Sequence, residues 1–254
     1  MGEGAPAQAG AFLNVERSYG GKRWRPRLTD ERGALAISQQ LELPDALGRI
    51  LAARGVDVSE AEAFLDPKLR DLLPDPSHLL DMDRAVERIV AAINAGEKIG
   101  VFADYDVDGA CSGALLAKFF GAIGRDVTVY VPDRIAEGYG PNTPALMKLK
   151  DAGVSLVITV DCGTTAFAPL AAAAEAGLDV VVVDHHVAEP ELPQAVAVVN
   201  PNRLDETSPV GQLCAAGVTF LVIIAVNRAL RDAFWYGEGH NEPKLMAWLD
   251  LVAL

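Results

Sequence analysis

Short apolar runs rich in β-branched residues alternate with helix-patterned stretches from residue 82 onward. This alternation predicts an α/β fold, a mainly parallel sheet with helices on both faces. The predicted strands are Ile99–Ala103, Val127–Val131, Leu156–Val160, Val180–Val183 and Val196–Val199. The predicted helices are Asp83–Ala95, Ser112–Ile123, Thr143–Ala152, Thr165–Ala176 and Ala216–Arg231.

The chain before this pattern divides into two further parts. Residues 1–35 are rich in Gly, Ala and Arg, which predicts a flexible basic arm. Residues 36–80 predict a small helical N-terminal segment that ends in a region broken by prolines, so residues 81–254 form the main domain. Two short helices are expected near 43–47 and 58–65, the second with Ser59 as N-cap and Glu62 completing a capping box.

Polar side chains follow four of the predicted strands, where open parallel sheets bind their ligands. Asp104, Asp106 and Asp108 lie in the Asp-Tyr-Asp-Val-Asp-Gly sequence after the first strand. Crowded carboxylates are costly unless a cation neutralises them. The other strand ends carry Asp161-Cys162-Gly163-Thr164-Thr165, Asp184-His185-His186 and Asn200-Pro201-Asn202-Arg203. Oxygen ligands indicate Mg²⁺, Mn²⁺ or Ca²⁺, and added imidazoles favour a transition metal such as Mn²⁺.

The convergence of these groups on one sheet edge favours two divalent cations that share a bridging carboxylate, a centre suited to phosphoester hydrolysis.

An EF-hand loop also begins with Asp-x-Asp-x-Asp-Gly, but it needs a preceding helix and a Glu at its twelfth position. Here a strand precedes the motif and Leu115 stands at that position. Each acid alone is compatible with a helix cap or a turn. His78 and His240 have no such setting and are expected at the surface.

Composition bounds the remaining possibilities. With 254 residues, half of them hydrophobic, the chain is large enough for one large domain or a domain with an extension. No apolar stretch reaches the roughly 18 to 20 residues of a membrane span, and no signal peptide is evident, which predicts a cytoplasmic protein without a membrane partner. The three cysteines are expected to be reduced thiols.

The net charge of -13 argues against a generic nucleic-acid binder. The charge is uneven, because residues 1–40 hold six basic and four acidic residues, so the acidity lies in the part with the carboxylate cluster. The basic stretch Lys22–Arg27 contains Trp24 and is compatible with a polyanion contact or with a solvated tail.

Three motifs together resemble the DHH phosphoesterase superfamily: Asp104–Gly109, Val160–Gly163 and Asp184–His186. Three more resemble its RecJ branch, the single-strand-specific 5′ to 3′ DNA exonucleases: Glu137–Gly140, Asn200–Arg203 and Leu213–Phe220. The resemblance covers roughly residues 80 to 254 in the order that the family has. It implies a phosphodiesterase with two Mn²⁺ or Mg²⁺ ions, a single-stranded DNA substrate and a role in DNA repair and recombination.

The resemblance also implies a role for each motif residue. Asp104 and Asp106 would bind one metal ion, Asp108 and His185 the other, and Asp161 would bridge them. His186 would face the scissile phosphate, and Asp184 would orient the histidines rather than bind metal. The implied catalytic residues are Asp106, Asp108, Asp161 and His186, and the implied substrate-binding residues are Asn200 and Arg203.

The chain stops at Asp250–Leu254, where RecJ proteins continue with a Gly-Thr-Val-Ala-Asp segment that supplies a further ligand, and then with a second lobe and an OB-fold domain. The resemblance therefore implies an amino-terminal portion with weak or no exonuclease activity alone. A helicase or a single-strand-binding protein are implied as repair partners.

Two alternatives remain open. Relatives that act on oligoribonucleotides, cyclic dinucleotides or pyrophosphate usually have His where this chain has Asp104. A non-catalytic binding module would keep the fold without hydrolysis, and the intact motif acids count against it.

Overall fold

The structure is a computed structural model that describes residues 11–237 and 239–253. The chain divides into two compact units, Met1–Leu73 and Pro74–Leu254. The first ten residues of the predicted arm lie outside the described residues. No helix in the described ranges is long and apolar enough to cross a membrane.

The first unit is helical. Its helices are α1 Glu31–Gln40, α2 Asp45–Ala53, α3 Ala61–Leu65 and α4 Leu69–Leu72, preceded by a 3₁₀ turn at Phe12–Asn14. Ile37, Leu51, Val56 and Ala61 form a small buried core. The predicted cap at Ser59 is wrong: residues 57–60 first form a turn, and α3 begins one residue after Glu60 without a side-chain cap. The Glu60 carboxylate instead accepts a hydrogen bond from the Asp57 amide.

The second unit contains a five-stranded parallel sheet with strand order β2-β1-β3-β4-β5, which confirms the predicted fold class. Its strands are β1 Ile99–Ala103, β2 Val127–Tyr130, β3 Leu156–Val160, β4 Asp179–Val183 and β5 Ala197–Val199. Its helices are α5 Met82–Ala95, α6 Val107–Ala122, α7 Thr143–Asp151, α8 Phe167–Glu175, α9 Ala215–Asp232 and α10 Leu249–Ala253, with 3₁₀ turns at Pro76–His78 and Leu245–Trp248.

Strands β1, β3, β4 and β5 are almost wholly buried, whereas the edge strand β2 is only partly buried. Successive side chains of each strand point to opposite sides of the sheet. Val101 packs in a large core with residues of α5, α6 and α9. Its neighbour Phe102 packs in a second core with residues of α7 and α8. The helices therefore cover both faces, and the carboxyl ends of the strands are left as the edge where polar groups collect.

Helix α6 begins earlier than the sequence pattern predicts. The expected start at Ser112 is wrong, because Asp106 is the N-cap and its carboxylate accepts hydrogen bonds from the amides of Asp108 and Gly109. Gly109 is required there, since a Cβ atom would clash with the carbonyl oxygen of Asp104. The first helical turn thus belongs to the acidic motif itself, and it fixes the directions of Asp106 and Asp108.

Cys111, Cys162 and Cys214 are free thiols. His78 and His240 are exposed, as predicted.

Candidate metal centre

The acids that follow β1, β3 and β4 are aligned by the parallel sheet. The amide of Asp104 donates to the Val160 carbonyl at 3.2 Å, and the amide of Asp161 donates to the Val183 carbonyl at 3.0 Å. The amide of Asp184 donates to the carbonyl of Val199 at 3.1 Å. Each acid therefore extends its strand by one ladder bond, so the positions of the carboxylates are set by the strand register.

Two groups of possible metal ligands meet at Asp161. Asp104, Asp106 and Asp161 place one carboxylate oxygen each within 4.8 Å of the others. Asp161, His185 and His186 place ligand atoms within the same mutual distance. Because Asp161 belongs to both groups, the arrangement matches a pair of sites that share one carboxylate.

Asp161 is a buried carboxylate without a hydrogen-bond donor on one of its oxygens. Its side chain is 2% exposed, and Oδ1 has no hydrogen-bond partner. Burial and the nearby carboxylates of Asp108 and Asp106 raise the pKa of Asp161 to about 8. Burial also raises the pKa of Asp104, whose Oδ1 is likewise unpartnered. Unpaired buried acids are costly, and a divalent cation bound by these oxygens would remove that cost, so the residues present fit a metal ion.

His185 is oriented as a metal ligand. Its Nδ1 lies 3.2 Å from the carbonyl oxygen of Leu213, and a carbonyl can only accept a hydrogen bond. Nδ1 therefore carries a hydrogen that it donates to this carbonyl, and Nε2 faces Oδ1 of Asp161 at 3.3 Å. Metal-binding histidines commonly donate their second ring N–H to such an acceptor, which fixes the ring orientation.

Asp184 organises the histidine segment. Its Oδ1 accepts hydrogen bonds from the amide of His185 at 2.7 Å and from Nδ1 of His186 at 2.7 Å, and its Oδ2 accepts from the amide of Thr164. Burial would raise the pKa of Asp184, but the hydrogen bonds from His186 and Thr164 outweigh it and lower the pKa to about 2. The same contact raises the pKa of His186. Asp184 therefore contacts both histidines, and its orienting role stays a prediction.

Asp108 occupies a different setting from the other motif acids. Its two oxygens accept hydrogen bonds from the amides of Ala215 and Ala216, at 2.8 and 2.7 Å, at the start of α9. It belongs to neither ligand group, although its Oδ2 lies 3.6 Å from Nε2 of His185. Asp108 thus lies near the site, but both of its oxygens accept hydrogen bonds from the N-terminus of α9. Its role as a ligand stays a prediction.

Asn200 contacts the backbone of His186, whereas Arg203 contacts no motif acid or histidine, and both side chains are turned inward. The guanidinium of Arg203 donates to the carboxylates of Asp81 and Asp205 and to the carbonyl of Val198. Its side chain is only 7% exposed, so its charge is balanced by carboxylates inside the domain. Asn200 is fully buried. In this geometry neither side chain is presented to a substrate.

Tyr139 lies within the Glu137–Gly140 motif, for which the sequence predicts no site role, and it contacts the centre. Its hydroxyl donates to the backbone carbonyl of Asp161 at 3.0 Å and lies 3.3 Å from Nδ1 of His186. The signal was its place between Gly138 and Gly140, both with positive φ, which mark a tightly turned loop. This loop carries the hydroxyl to the edge of the sheet.

The model of the DHH family, N-terminal domain, matches residues 98–254. The single-stranded-DNA-specific exonuclease RecJ of Bacillus subtilis is 37% identical over 243 residues, which cover 91% of this chain and 31% of that protein. The RecJ of Salmonella typhimurium is 36% identical, covering 92% of this chain and 39% of that protein. The chain thus spans between 31% and 39% of the length of these relatives.

Solved structures give the same assignment. The crystal structure of RecJ in complex with Mn²⁺ from Thermus thermophilus has a TM-score of 0.67 and 28% identity, covering 89% of this chain and 30% of that one. A crystal structure of exonuclease RecJ bound to manganese has a TM-score of 0.58 and 31% identity, covering 69% of this chain and 42% of that one. The family model matches more than half of the residues, and the acids and histidines of its motifs meet at one sheet edge, so this chain belongs to the DHH family.

Proposed function

We propose that this chain is the metal-dependent phosphodiesterase domain of a RecJ-type 5′ to 3′ single-stranded DNA exonuclease. The observation that carries the proposal is the position of Asp161, which is buried, has an unpartnered oxygen and is shared by two groups of ligand atoms. The names of the relatives, single-stranded-DNA-specific exonucleases, support the substrate class.

Asp104 and Asp106 would hold one ion, His185 would hold the other, and Asp161 would contact both. Mn²⁺ or Mg²⁺ is the expected ion, because RecJ structures of this fold contain them and because the donor set combines carboxylates with imidazole. Two bound divalent ions polarise a phosphoryl group, activate a water and stabilise the leaving oxygen.

His186 is proposed to act on the phosphate. Its Nδ1 is held by Asp184, and the raised pKa favours a protonated ring. A proton on Nε2 would then stabilise negative charge that develops on a phosphate oxygen. The Tyr139 hydroxyl donates to the backbone carbonyl of Asp161, which would keep the His186 ring and the Asp161 carboxylate in a fixed relative position.

The biological setting belongs to the same proposal. A role in DNA repair and recombination, a cytoplasmic location, and partners such as a helicase or a single-strand-binding protein follow from the resemblance to RecJ. The net charge of -13 opposes the approach of a polyanion, so we expect the 254-residue chain alone to bind metal readily and to digest DNA slowly or not at all.

The test combines titration calorimetry with an end-labelled nuclease assay. We expect Mn²⁺ to bind the wild-type chain and binding to be lost in Asp161→Ala. Any digestion should require Mn²⁺, release mononucleotides from the 5′ end of single strands, and spare duplexes. Hydrolysis of pyrophosphate or of a cyclic dinucleotide without DNA digestion would assign the chain to a small-substrate branch instead. Unchanged Mn²⁺ binding in Asp161→Ala would contradict the proposed centre.

A further inference from the structure

The backbone carbonyls of both motif histidines are held by asparagine side chains. Nδ2 of Asn200 donates to the His186 carbonyl at 2.8 Å. Nδ2 of Asn202 donates to the His185 carbonyl at 2.5 Å and to the Gly211 carbonyl at 3.1 Å. The segment that carries the two imidazoles is therefore fixed from the side of the loop that follows β5.

The Asn-Pro-Asn sequence explains how two amides reach neighbouring carbonyls. Oδ1 of Asn200 accepts a hydrogen bond from the backbone amide of Asn202 at 2.7 Å, which closes a turn around Pro201. Pro201 has no N–H and a restricted φ, so the turn has few alternative conformations. The amide of Asp184 donates to Val199, which aligns the end of β4 with the start of this loop.

Every polar atom of the Asn200 side chain is used inside the protein. Its Nδ2 donates to the Thr164 hydroxyl at 2.9 Å as well as to His186, its Oδ1 accepts from Asn202, and the residue is 0% exposed. An amide group offers only two N–H donors, so no donor remains for a substrate. The geometry therefore points away from the substrate contact that the sequence resemblance implied for Asn200.

The histidine segment is held on both sides of its peptide groups. Asp184 accepts hydrogen bonds from the amides of His185 and His186, at 2.7 and 3.3 Å. The asparagines hold the carbonyls of the same two residues. These contacts hold three consecutive peptide groups, from the amide of His185 to the carbonyl of His186, and so fix the direction in which each imidazole leaves the backbone.

From these contacts we propose that Asn200 and Asn202 are positioning residues of the metal centre, which set the backbone of His185 and His186 so that their imidazoles meet Asp161. The inference rests on the proposed function, since it assigns these asparagines to the same site. Groups that orient metal ligands typically change metal affinity by about 10- to 100-fold when they are removed.

The experiment measures Mn²⁺ affinity by calorimetry in the full chain. Asn202 is half-buried, so its replacement is tolerable, and Asn202→Ala removes the donors while Asn202→Leu removes them at nearly constant volume. Asn227→Ala is the matched control, because Asn227 of α9 is buried and donates to Glu242, beyond the end of that helix, in a contact that involves no motif residue. We expect the Kd for Mn²⁺ to rise about tenfold or more in both Asn202 variants. In Asn227→Ala we expect a lower unfolding temperature and an unchanged Kd.

Ring signals of the histidines provide a second readout. In the metal-free protein, the imidazole NMR signals of His185 and His186 should shift in Asn202→Leu and stay in place in Asn227→Ala. Wild-type Mn²⁺ affinity in both Asn202 variants would overturn the inference, as would unmoved ring signals. Failure of the wild-type chain to bind Mn²⁺ would instead overturn the proposed function, and the ring signals would still decide whether the asparagines position the histidines.

Discussion

Oδ1 of Asp161 lies 3.3 Å from Nε2 of His185 and has no hydrogen-bond donor. Asp161 also has a backbone φ of 61°, which is uncommon for a residue with a side chain. A buried acid in an unfavourable backbone conformation is expected where function, rather than stability, selects the residue.

Asp161→Asn should therefore separate stability from metal binding. The amide has the same shape and cannot ionise, so the cost of forming a buried carboxylate beside Asp106 and Asp108 disappears. We expect the metal-free variant to unfold at the wild-type temperature or above it, with Mn²⁺ affinity reduced at least about tenfold. Asp151→Asn, at an exposed position of α7, is the control and should change neither property. A large loss of stability without metal would contradict this account.

Asp108→Asn should behave differently, because the oxygens of Asp108 accept from the first amides of α9. An amide side chain has one acceptor oxygen and no charge to interact with the helix dipole. The free energy of unfolding should fall by about 1 to 2 kcal/mol, measured by urea denaturation in EDTA. Asp83→Asn, in the first turn of α5 and exposed, is the control. Lost Mn²⁺ binding with unchanged stability would show that Asp108 serves as a ligand alone.

Gly163→Ala should destabilise the loop that follows Asp161. Gly163 has a φ of 115°, and an added Cβ would lie 2.7 Å from the hydroxyl oxygen of Thr159. Strain of this kind costs about 1 to 3 kcal/mol. Gly121→Ala offers a contrast, since no atom lies within 4 Å of its Cβ position and the residue is helical, so the unfolding free energy should rise by about 0.5 to 1 kcal/mol. Thermal and urea unfolding of both variants measure these changes. Equal changes in the free energy of unfolding for Gly163→Ala and Gly121→Ala would contradict the prediction.

Glu97→Gln tests the ionic contacts of a carboxylate at the opposite edge of the sheet, just before β1 begins. Glu97 accepts hydrogen bonds from Arg88 and Ser155, and these contacts lower its pKa from the ordinary 4.5. A carboxyl whose pKa is lower in the folded state stabilises the protein above its unfolded pKa, and this stabilisation is lost as the pH falls through the folded value.

The variant should therefore be less stable than the wild type by about 1 kcal/mol at pH 7. The difference should shrink once the pH is below the lowered pKa. Urea unfolding across this range is the measurement, and Glu87→Gln, at an exposed position of α5, should show no such trend. A difference that is independent of pH would exclude the ionic explanation.

The strands and the gathering of acids at their ends were predictable because both depend on local signals. Runs such as Leu156–Val160 are apolar, β-branched and bounded by polar residues, and parallel strands bring their carboxyl ends together. The start of α6 was not predictable in this way, since Asp and Gly have low helix propensity and the cap at Asp106 outweighs them.

Long-range pairing accounts for the other differences. Nothing near Asp108 in the sequence shows that the start of α9 will donate to it. In the sequence Arg203 has no evident partner, which is compatible with substrate binding. In the folded domain its guanidinium forms an ion pair with Asp81, which is distant along the chain. Such partners become visible only when the tertiary structure is known.

The strand register that aligns Asp104 with Asp161 also has a kinetic consequence. These acids become neighbours only after β1 and β3 have paired across the intervening α6, β2 and α7, and pairing of this non-local kind is slow. We therefore expect the carboxylates to approach one another late in folding, after the strands have paired. A cation that binds the finished cluster would act chiefly on the rate of unfolding, and would protect the domain by keeping the folded state from opening.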